Sequence, residues 1–285
     1  MILKQQDPVS AYRKTRFDLT SRVAIITGGA GLLGQRHAEA ILEAGGTAVL
    51  LDIHNPSLRN AVSRLNVYAP ARVFGFNVNI TKPRALQRIR QQILKRHGRI
   101  DILINNAAID AKVRSEGPSG GTRLESFSLA QWNKEINTGL SGSFLCAQVF
   151  GTAMAAAGRG VILNICSDLS VIAPDQRVYR RAGLPDSQQP VKPVTYSVIK
   201  SGLIGLTRYL ATYWADHGIR VNALSPGGVQ HEQSDVFLTR IRKLIPLGRL
   251  AKPDEYKAAV LFLVSDGSSY MTGSNLIIDG GRSVW

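Results

Sequence analysis

The sequence predicts a single doubly wound α/β domain built on a seven-stranded parallel sheet. From Arg22 onward, short apolar or β-branched runs alternate with longer helical segments. This alternation is typical of a parallel sheet that helices cover on both faces. The 285 residues contain neither an internal repeat nor a linker. Hydrophobic residues make up 44% of the chain, which is enough for one large core.

The predicted elements follow one another in a regular order. The strands are the runs VAIIT (23–27), TAVLLD (47–52), RVFGFNV (72–78), DILIN (101–105), GVILNIC (160–166), RVNALS (220–225) and NLIID (275–279). Helices are predicted between them at 32–44, 83–97, 128–157, 195–217 and 252–265, and the fourth helix stops at Gly218. Residues 1–20 form a polar, basic extension, so the domain occupies residues 21–285.

The net charge of +15 is the unusual bulk property of the chain. Such a charge suits nucleic acid, a membrane surface or an anionic substrate. The basic residues are dispersed, and no finger, helix-turn-helix or aromatic RNA-binding motif accompanies them. No run approaches the ~18 apolar residues of a membrane span, and the N-terminus lacks a signal-peptide core. We therefore expect a cytoplasmic protein with no nucleic-acid or membrane partner.

Two cysteines, Cys146 and Cys166, both lie in apolar surroundings. This placement predicts buried thiols rather than a disulfide framework or a metal site.

The glycine-rich run TGGAGLLG, residues 27–34, lies between the first predicted strand and the first predicted helix. Glycines there let the backbone approach a pyrophosphate held at the helix N-terminus. Asp52 ends the second strand, where a carboxylate can accept hydrogen bonds from an adenosine ribose. This favours NAD over NADP, because a 2′-phosphate would face a like charge. The nearby His54 and Arg59 leave NADP open as the less favoured cofactor.

The stretch TYSVIK, residues 195–200, puts Tyr196 and Lys200 four residues apart at the start of a predicted helix. Both side chains then project from one face of that helix. A nearby cation favours phenolate over phenol and moves the phenol pKa from ~10 toward neutrality. Such a phenol can donate and accept a proton, although the spacing alone is a weak signal.

Taken together, these motifs resemble those of the short-chain dehydrogenases/reductases in their classical single-domain form. The resemblance runs from about Phe17 to Trp285, and it includes NNAA after the fourth strand, SPGG at 225–228 and the closing PLGRL and SDGSSYMTGSNLIIDGG. It implies a Rossmann-type fold. It also implies an NAD(P)-dependent oxidoreductase that transfers a hydride between nicotinamide and a hydroxyl or keto group, with no metal.

The resemblance also implies roles for individual residues. Tyr196 would be the catalytic acid/base, Lys200 would lower its pKa and hold the nicotinamide ribose, and the Ser167 hydroxyl would polarise the substrate carbonyl. The residues implied to contact the cofactor are Gly28, Gly31, Leu33, Gly34, Asp52, Asn79, Ile80, Asn105, Ala107, Tyr196, Lys200, Pro226, Gly227 and Val229.

The sequence departs from the family pattern at three positions. Leu32 stands where the classical motif has its middle glycine, and Asn79 stands where an aspartate usually contacts adenine. Gly139 occupies the position of the family's catalytic asparagine. Asn137, two residues away, lies about 200° around a helix and cannot simply replace it. Whether the proton relay is intact is therefore open.

An insert at 173–193 separates Ser167 from Tyr196 on the predicted substrate side. Three prolines after residue 180 predict an ordered loop rather than an added strand or helix. The runs DLSVIAPDQ, QQPVKPVTYS and GGRSVW resemble a family branch found in bacterial surface-sugar pathways such as flagellin modification and nonulosonate synthesis. That likeness implies a sugar or sugar-phosphate type substrate. The alternatives are a 3-oxoacyl-thioester reductase and, in another class, a non-catalytic dinucleotide-binding sensor or scaffold.

The charges of the insert predict an anionic substrate, since arginine can bind phosphate or carboxylate through two hydrogen bonds. The insert carries Arg177, Arg180, Arg181 and Lys192 against Asp175 and Asp186. Asp168 is a further candidate for substrate contact. The closing segment resembles one that packs against its symmetry mate in the family, which implies a homo-oligomer, a tetramer or a dimer.

Overall fold

Seven parallel strands form one sheet in residues 16–109 and 121–285, which are the residues that this computed structural model describes. The order of the strands is β3-β2-β1-β4-β5-β6-β7. They are β1 Val23–Thr27, β2 Thr47–Asp52, β3 Val73–Asn77, β4 Ile102–Asn105, β5 Gly160–Ile165, β6 Ile219–Pro226 and β7 Asn275–Ile278. The predicted fold class is confirmed. The predicted extension at 1–20 lies mostly outside the described residues.

Helices cover both faces of this sheet. They are α1 Leu32–Glu43, α2 Asn55–Tyr68, α3 Pro83–His97, α4 Leu129–Ala156, α5 Val194–Tyr213, α6 Asp235–Arg242 and α7 Lys257–Val264. The sequence did not predict α2 and α6. Side chains mark the start of each, because the His54 ring accepts the Ser57 N–H and the Ser234 hydroxyl accepts the Phe237 N–H.

The core has two halves because successive residues of a strand point to opposite faces of the sheet. Ala24 and Ile26 of β1 pack with α1, α2 and α7 on one face. Val23 and Ile25 pack with α3, α4 and α5 on the other. All four side chains are buried, which explains why the strand is apolar from Val23 to Ile26.

Helix α4 is irregular and lies against the sheet. It contains two π-helical turns, Asn137–Ser141 and Ala147–Gly151. Its length and composition would also suit a membrane span, but half of its apolar stretch is buried inside the protein. Cys146, Phe150 and Met154 belong to the core that faces α3 and α5. We therefore interpret α4 as a core helix.

A crevice is expected where the chain changes direction along the sheet. From β1 the strands run outward to β2 and β3, and then the chain crosses to β4 on the other side of β1. Doubly wound folds bind ligands at the carboxyl ends of the strands beside this reversal. Thr27, Asp52 and Asn105 end the three strands concerned.

Candidate active site

The turn between β1 and α1 is closely packed around its glycines. Gly28 has a φ of 61°, and a Cβ built there would lie 2.9 Å from the Ala107 Cα. A Cβ on Gly34 would overlap the Gly28 carbonyl oxygen. Helix α1 begins at Leu32 with no side-chain cap and no acidic residue in its first turn. Its first N–H groups therefore suit a pyrophosphate, which fits a dinucleotide cofactor.

The carboxylate of Asp52 lies beside this turn. It accepts the Ala30 N–H through Oδ2 at 3.1 Å and the His54 N–H through Oδ1 at 3.0 Å. Each oxygen keeps a lone pair for a ribose hydroxyl. The His54 imidazole is hydrogen-bonded to Ser57 at the start of α2, and Arg59 is exposed on that helix.

Asn79 and Ile80 follow β3 toward the predicted adenine position. The Asn79 Oδ1 accepts the N–H and the hydroxyl of Thr81, at 2.9 and 2.8 Å. Its amide nitrogen is a donor, which the aspartate common in the family lacks. Ile80 is buried against α4, where a Cβ on Gly142 would meet it at 2.7 Å.

A chain of buried amides and hydroxyls joins the ends of β4 and β5 to α5. Asn105 donates to the Asn164 Oδ1 at 2.9 Å, and Asn164 donates to the Thr207 hydroxyl at 2.8 Å. The Asn105 Oδ1 is buried without a hydrogen-bond partner in the described part of the chain. The Thr27 hydroxyl accepts the Ala107 N–H at 3.0 Å and so ties β4 to β1 beside the glycine turn.

Lys200 and Ser167 lie at the carboxyl end of β5. The Lys200 ammonium is buried and donates to the Ile165 carbonyl at 2.8 Å, two residues before Ser167. Its Nζ lies 5.7 Å from the centroid of the Tyr196 ring. Helix α5 also contacts the turn after Ser167, where the Ser201 hydroxyl donates to the Ser170 carbonyl at 3.4 Å. The three predicted catalytic residues therefore share one edge of the sheet.

The start of α5, just before Tyr196, is fixed by a buried carboxylate of α4. Glu135 accepts the Thr195 hydroxyl and, at 2.5 Å, the Gln131 amide. Both Glu135 and Thr195 are buried. This contact orients the first turn of α5 and the tyrosine that it carries.

A second cation, Lys192 of the insert, also contacts Tyr196. Its Nζ lies 3.9 Å from the centroid of the tyrosine ring. This is the geometry of a cation–π interaction. No motif of the sequence indicates Lys192 as part of the catalytic site. Its only local signal is that it precedes Tyr196 by the four residues that separate Tyr196 from Lys200.

Ser167 is hydrogen-bonded to its neighbour, and that neighbour is ion-paired with the C-terminal segment. The Ser167 hydroxyl donates to the Asp168 Oδ1 at 2.8 Å and accepts the Leu169 N–H at 3.2 Å. The Asp168 Oδ2 meets the Arg282 guanidinium at 2.6 Å, with side chains only 4% and 10% exposed. No local pattern predicts this pair, because 114 residues separate its members.

Gly139 lies in the first π-helical turn of α4. A Cβ there would lie 2.7 Å from the Ile199 Cγ2, so an asparagine would displace Ile199. The Gly139 carbonyl accepts the Ser143 hydroxyl at 2.8 Å. Asn137 is exposed, in keeping with the prediction that it does not replace the missing side chain.

The turn after β6 is tied to β7 and to α7. The Gly227 N–H donates to the Ile278 carbonyl at 2.8 Å, and the Tyr256 hydroxyl donates to the Gly227 carbonyl at 3.2 Å. Burial, followed by the negative charge of Asp168, raises the pKa of Tyr256 above its usual range. Val229 pairs with Ala251 in an isolated β-bridge. Gly227, which is implied to contact the cofactor, is thus held by hydrogen bonds to both β7 and Tyr256.

The insert is an ordered loop with two 3₁₀ turns, Gln176–Tyr179 and Asp186–Gln188. It packs on α6, where the rings of Tyr179 and Phe237 lie 5.6 Å apart. Its acidic residues hold two of its arginines: Asp175 pairs with Arg177 at 2.8 Å, and Asp186 pairs with Arg180 at 2.9 Å. The Arg181 N–H donates to the buried Gln189. The two ion pairs offset half of the basic charge from which an anionic substrate was predicted.

Both cysteines are buried free thiols, as predicted. Burial raises the pKa of the Cys166 thiol to about 12, despite the opposing effect of Lys200.

Comparison with known families identifies the chain. A family model described as short chain dehydrogenase matches residues 22–180, and one described as Enoyl-(Acyl carrier protein) reductase matches residues 187–283. The protein belongs to the short-chain dehydrogenase family. This dehydrogenase is an oxidoreductase, and the resemblance drawn from its motifs is confirmed at the level of the family.

Individual relatives cover nearly the whole dehydrogenase. It is 35% identical to an NAD-dependent glycerol dehydrogenase of Listeria innocua over 94% of this chain and 96% of the relative. It is 31% identical to a D-threitol dehydrogenase of Mycolicibacterium smegmatis over 94% and 95%. A gluconate 5-dehydrogenase from Burkholderia cenocepacia J2315, solved with NADP and tartrate, superposes with a TM-score of 0.81 at 27% identity, covering 96% of this chain and 99% of that one.

Proposed function

We propose that this protein is an NAD-dependent dehydrogenase that interconverts a secondary hydroxyl and a ketone on a polyol or sugar-type substrate. The observation that carries this proposal is the contact of buried Lys200 with the Ile165 carbonyl, which brings the cation to Tyr196 and to the strand end that carries Ser167. A phenol beside a fixed ammonium can exchange a proton at a substrate oxygen.

The protein residues divide the work around the cofactor. A nicotinamide cofactor, when bound, would supply or accept the hydride. Tyr196 takes the proton of the substrate hydroxyl during oxidation and returns it during reduction. The Ser167 hydroxyl donates a hydrogen bond to the reacting oxygen, and it stabilises the negative charge that develops there. Lys200 keeps a positive charge beside the phenol throughout.

Asp52 supports NAD as the cofactor. Its carboxylate can accept the ribose hydroxyls, and it would repel a 2′-phosphate. The Nδ1 of His54 is hydrogen-bonded to Ser57 at the start of α2, which leaves only its Nε2 to donate to a phosphate. The Listeria relative is NAD-dependent, whereas the Burkholderia structure contains NADP. Cofactor preference therefore rests on Asp52 rather than on the relatives.

Small polyhydroxylated compounds are the favoured substrate class. The names of the relatives contain glycerol, threitol and gluconate, all of which carry several adjacent hydroxyl groups. A negative charge on the substrate stays a prediction, and it is weakened by the pairing of Arg177 and Arg180 within the insert. The likeness to the surface-sugar branch also stays a prediction.

A second candidate is reduction of a 3-oxoacyl thioester, which is favoured by 30% identity to a 3-oxoacyl-[acyl-carrier-protein] reductase of Thermotoga maritima. The test is a panel of polyols, sugars, sugar phosphates and oxoacyl thioesters, each with NAD and with NADP. Turnover of polyols with NAD at the highest kcat/KM is the expected result. Preferred turnover of thioesters would contradict the proposal, and NAD binding without turnover of any compound would support a sensor.

Tyr196→Phe tests the catalytic assignment. We expect a loss of at least about a thousandfold in kcat with NAD affinity changed only a few-fold, because the proton is removed and the ring is kept. The matched control is Tyr270→Phe, since Tyr270 is fully exposed. Undiminished turnover by Tyr196→Phe would contradict the proposed mechanism.

A homotetramer is proposed as the assembly. Exposed aromatic side chains on α4 and α5, Phe144, Tyr209 and Tyr213, support a self-complementary contact across a two-fold axis. Light scattering should give a multiple of the 30.9 kDa chain mass. A monomer at micromolar concentration would contradict it.

A further inference from the structure

The C-terminal segment brings a cation to the short 3₁₀ turn Asp168–Ser170, which follows Ser167 and is called the serine turn below. Arg282 lies in a short turn that Asp279 holds, since the carboxylate of Asp279 accepts the Gly281 N–H at 2.9 Å and the Ser283 N–H at 2.8 Å. From this turn the guanidinium reaches Asp168 at 2.6 Å. Two backbone bonds at its base therefore fix the position of the cation.

The ion pair is buried and directly adjacent to the reacting hydroxyl. One carboxylate oxygen of Asp168 meets Arg282, and the other accepts both the Ser167 hydroxyl and the Leu169 N–H, at 2.8 and 2.9 Å. A carboxylate held at one oxygen by a guanidinium cannot rotate freely. The orientation of the Ser167 hydroxyl therefore depends on Arg282.

We propose that Arg282 is a positioning residue for Ser167 and that it acts through Asp168; this proposal rests on the proposed function. The Ser167 hydroxyl has one proton, which must turn from the Asp168 oxygen to the reacting oxygen of the substrate. A hydrogen bond to an unbalanced carboxylate is about twice as strong as one to a neutral acceptor. By offsetting that charge, Arg282 makes the proton easier to release.

Other charged groups lie around the ion pair of Arg282 and Asp168. The positive charge of Arg282 lowers the pKa of Asp175 in the insert, after the larger effect of Arg177. The negative charges of Asp168 and Asp279 reach Tyr256. Arg282 thus lies among three carboxylates, and its removal leaves the serine turn with excess negative charge.

The test is a double-mutant cycle on kcat, with the enzyme concentration taken from NAD binding. Arg282→Met should lower kcat about 10- to 100-fold and leave the KM for NAD within about threefold. Asp168→Asn removes the charge, so adding Arg282→Met in that background should change kcat by less than about threefold. Arg282→Lys should restore most of the activity, and Ser283→Ala is the matched control in the same turn.

Ser167→Ala distinguishes a failure of the positioning role of Arg282 from a failure of the proposed mechanism. If Ser167→Ala abolishes turnover while Arg282→Met retains the kcat of the unaltered enzyme, the positioning role is overturned and the proposed function stands. Equal effects of Arg282→Met in both backgrounds also overturn it, because Asp168 would then play no part. If Ser167→Ala remains fully active, the proposed mechanism fails and the role of Arg282 fails with it.

Discussion

Buried His37 should make the stability of the fold depend on pH in the mildly acidic range. The side chain is fully buried in α1, and neither ring nitrogen has a hydrogen-bond partner with acceptable geometry among the described residues. Burial lowers the pKa of His37 from 6.5 to about 4, and the nearby Asn106 amide offsets this only in part. Asn106 also donates to the Gly28 carbonyl at 3.2 Å, so His37 lies behind the glycine turn.

The sign and the size of the effect follow from the two pKa values. Between pH 6.5 and about 4 the unfolded chain binds a proton at this histidine and the folded chain does not. The free energy of unfolding therefore decreases as the pH falls through this range. The difference between the two pKa values of His37 corresponds to about 3 kcal/mol of unfolding free energy. About 2 kcal/mol of this is lost between pH 7 and pH 5.

Urea unfolding of the unaltered protein and of His37→Leu, each at pH 7 and at pH 5, measures this contribution. We expect the unaltered protein to lose about 2 kcal/mol more than the variant, since leucine has a similar volume and no ionisable nitrogen. His97, whose pKa is also lowered by burial, is present in both proteins and cancels. The half-exposed His231 provides the control His231→Leu. If the unaltered protein and His37→Leu lose the same unfolding free energy between pH 7 and pH 5, His37 does not cause the pH dependence.

Three further substitutions test the site. Asp52→Ala should weaken NAD binding about tenfold and reduce the ratio of NAD affinity to NADP affinity, both measured by titration. An unaltered protein that already prefers NADP would contradict this. Gly139→Asn should unfold at least about 1 kcal/mol more easily because its Cβ meets Ile199, and Ile199→Ala in the same chain should recover part of that loss in thermal unfolding. Lys192→Met should raise the pH of half-maximal turnover by about half to one unit, because it removes a charge 3.9 Å from the Tyr196 ring, whereas Lys192→Arg should not. An unchanged pH profile would mean that Lys192 has no electrostatic role.

The sheet was predictable because each strand is a short, mainly apolar run between turns. The two missed helices lack comparable signals. Helix α2 buries Leu58, Ala61 and Leu65 but leaves Val67 85% exposed and Tyr68 58% exposed, so its apolar residues do not form one clear stripe. Helix α6 has only eight residues and packs on the insert through Phe237. Tertiary contacts stabilise such helices more than their own sequence does.

The site was predictable where a local spacing has a chemical meaning, as for Tyr196 with Lys200 or for the glycine turn. It was not predictable where distant segments meet. Arg282 reaches Asp168 only because the segment after β7 folds back over the carboxyl edge of the sheet. Lys192 reaches the tyrosine ring because the insert docks on α6. The first contact has no sequence signal and the second has only the four-residue spacing before Tyr196, since each depends on the path of a loop.

The contact between Gly139 and Ile199 makes the effect of a mutation at one position depend on the residue at the other. A side chain added at 139 first would meet the Ile199 Cγ2 at 2.7 Å within a packed helix pair. Shortening Ile199 first leaves a cavity, which costs about 0.5 to 1.5 kcal/mol for valine. The two substitutions are therefore epistatic. A relative that carries asparagine at this position of the helix is therefore expected to carry a smaller residue at the position of Ile199.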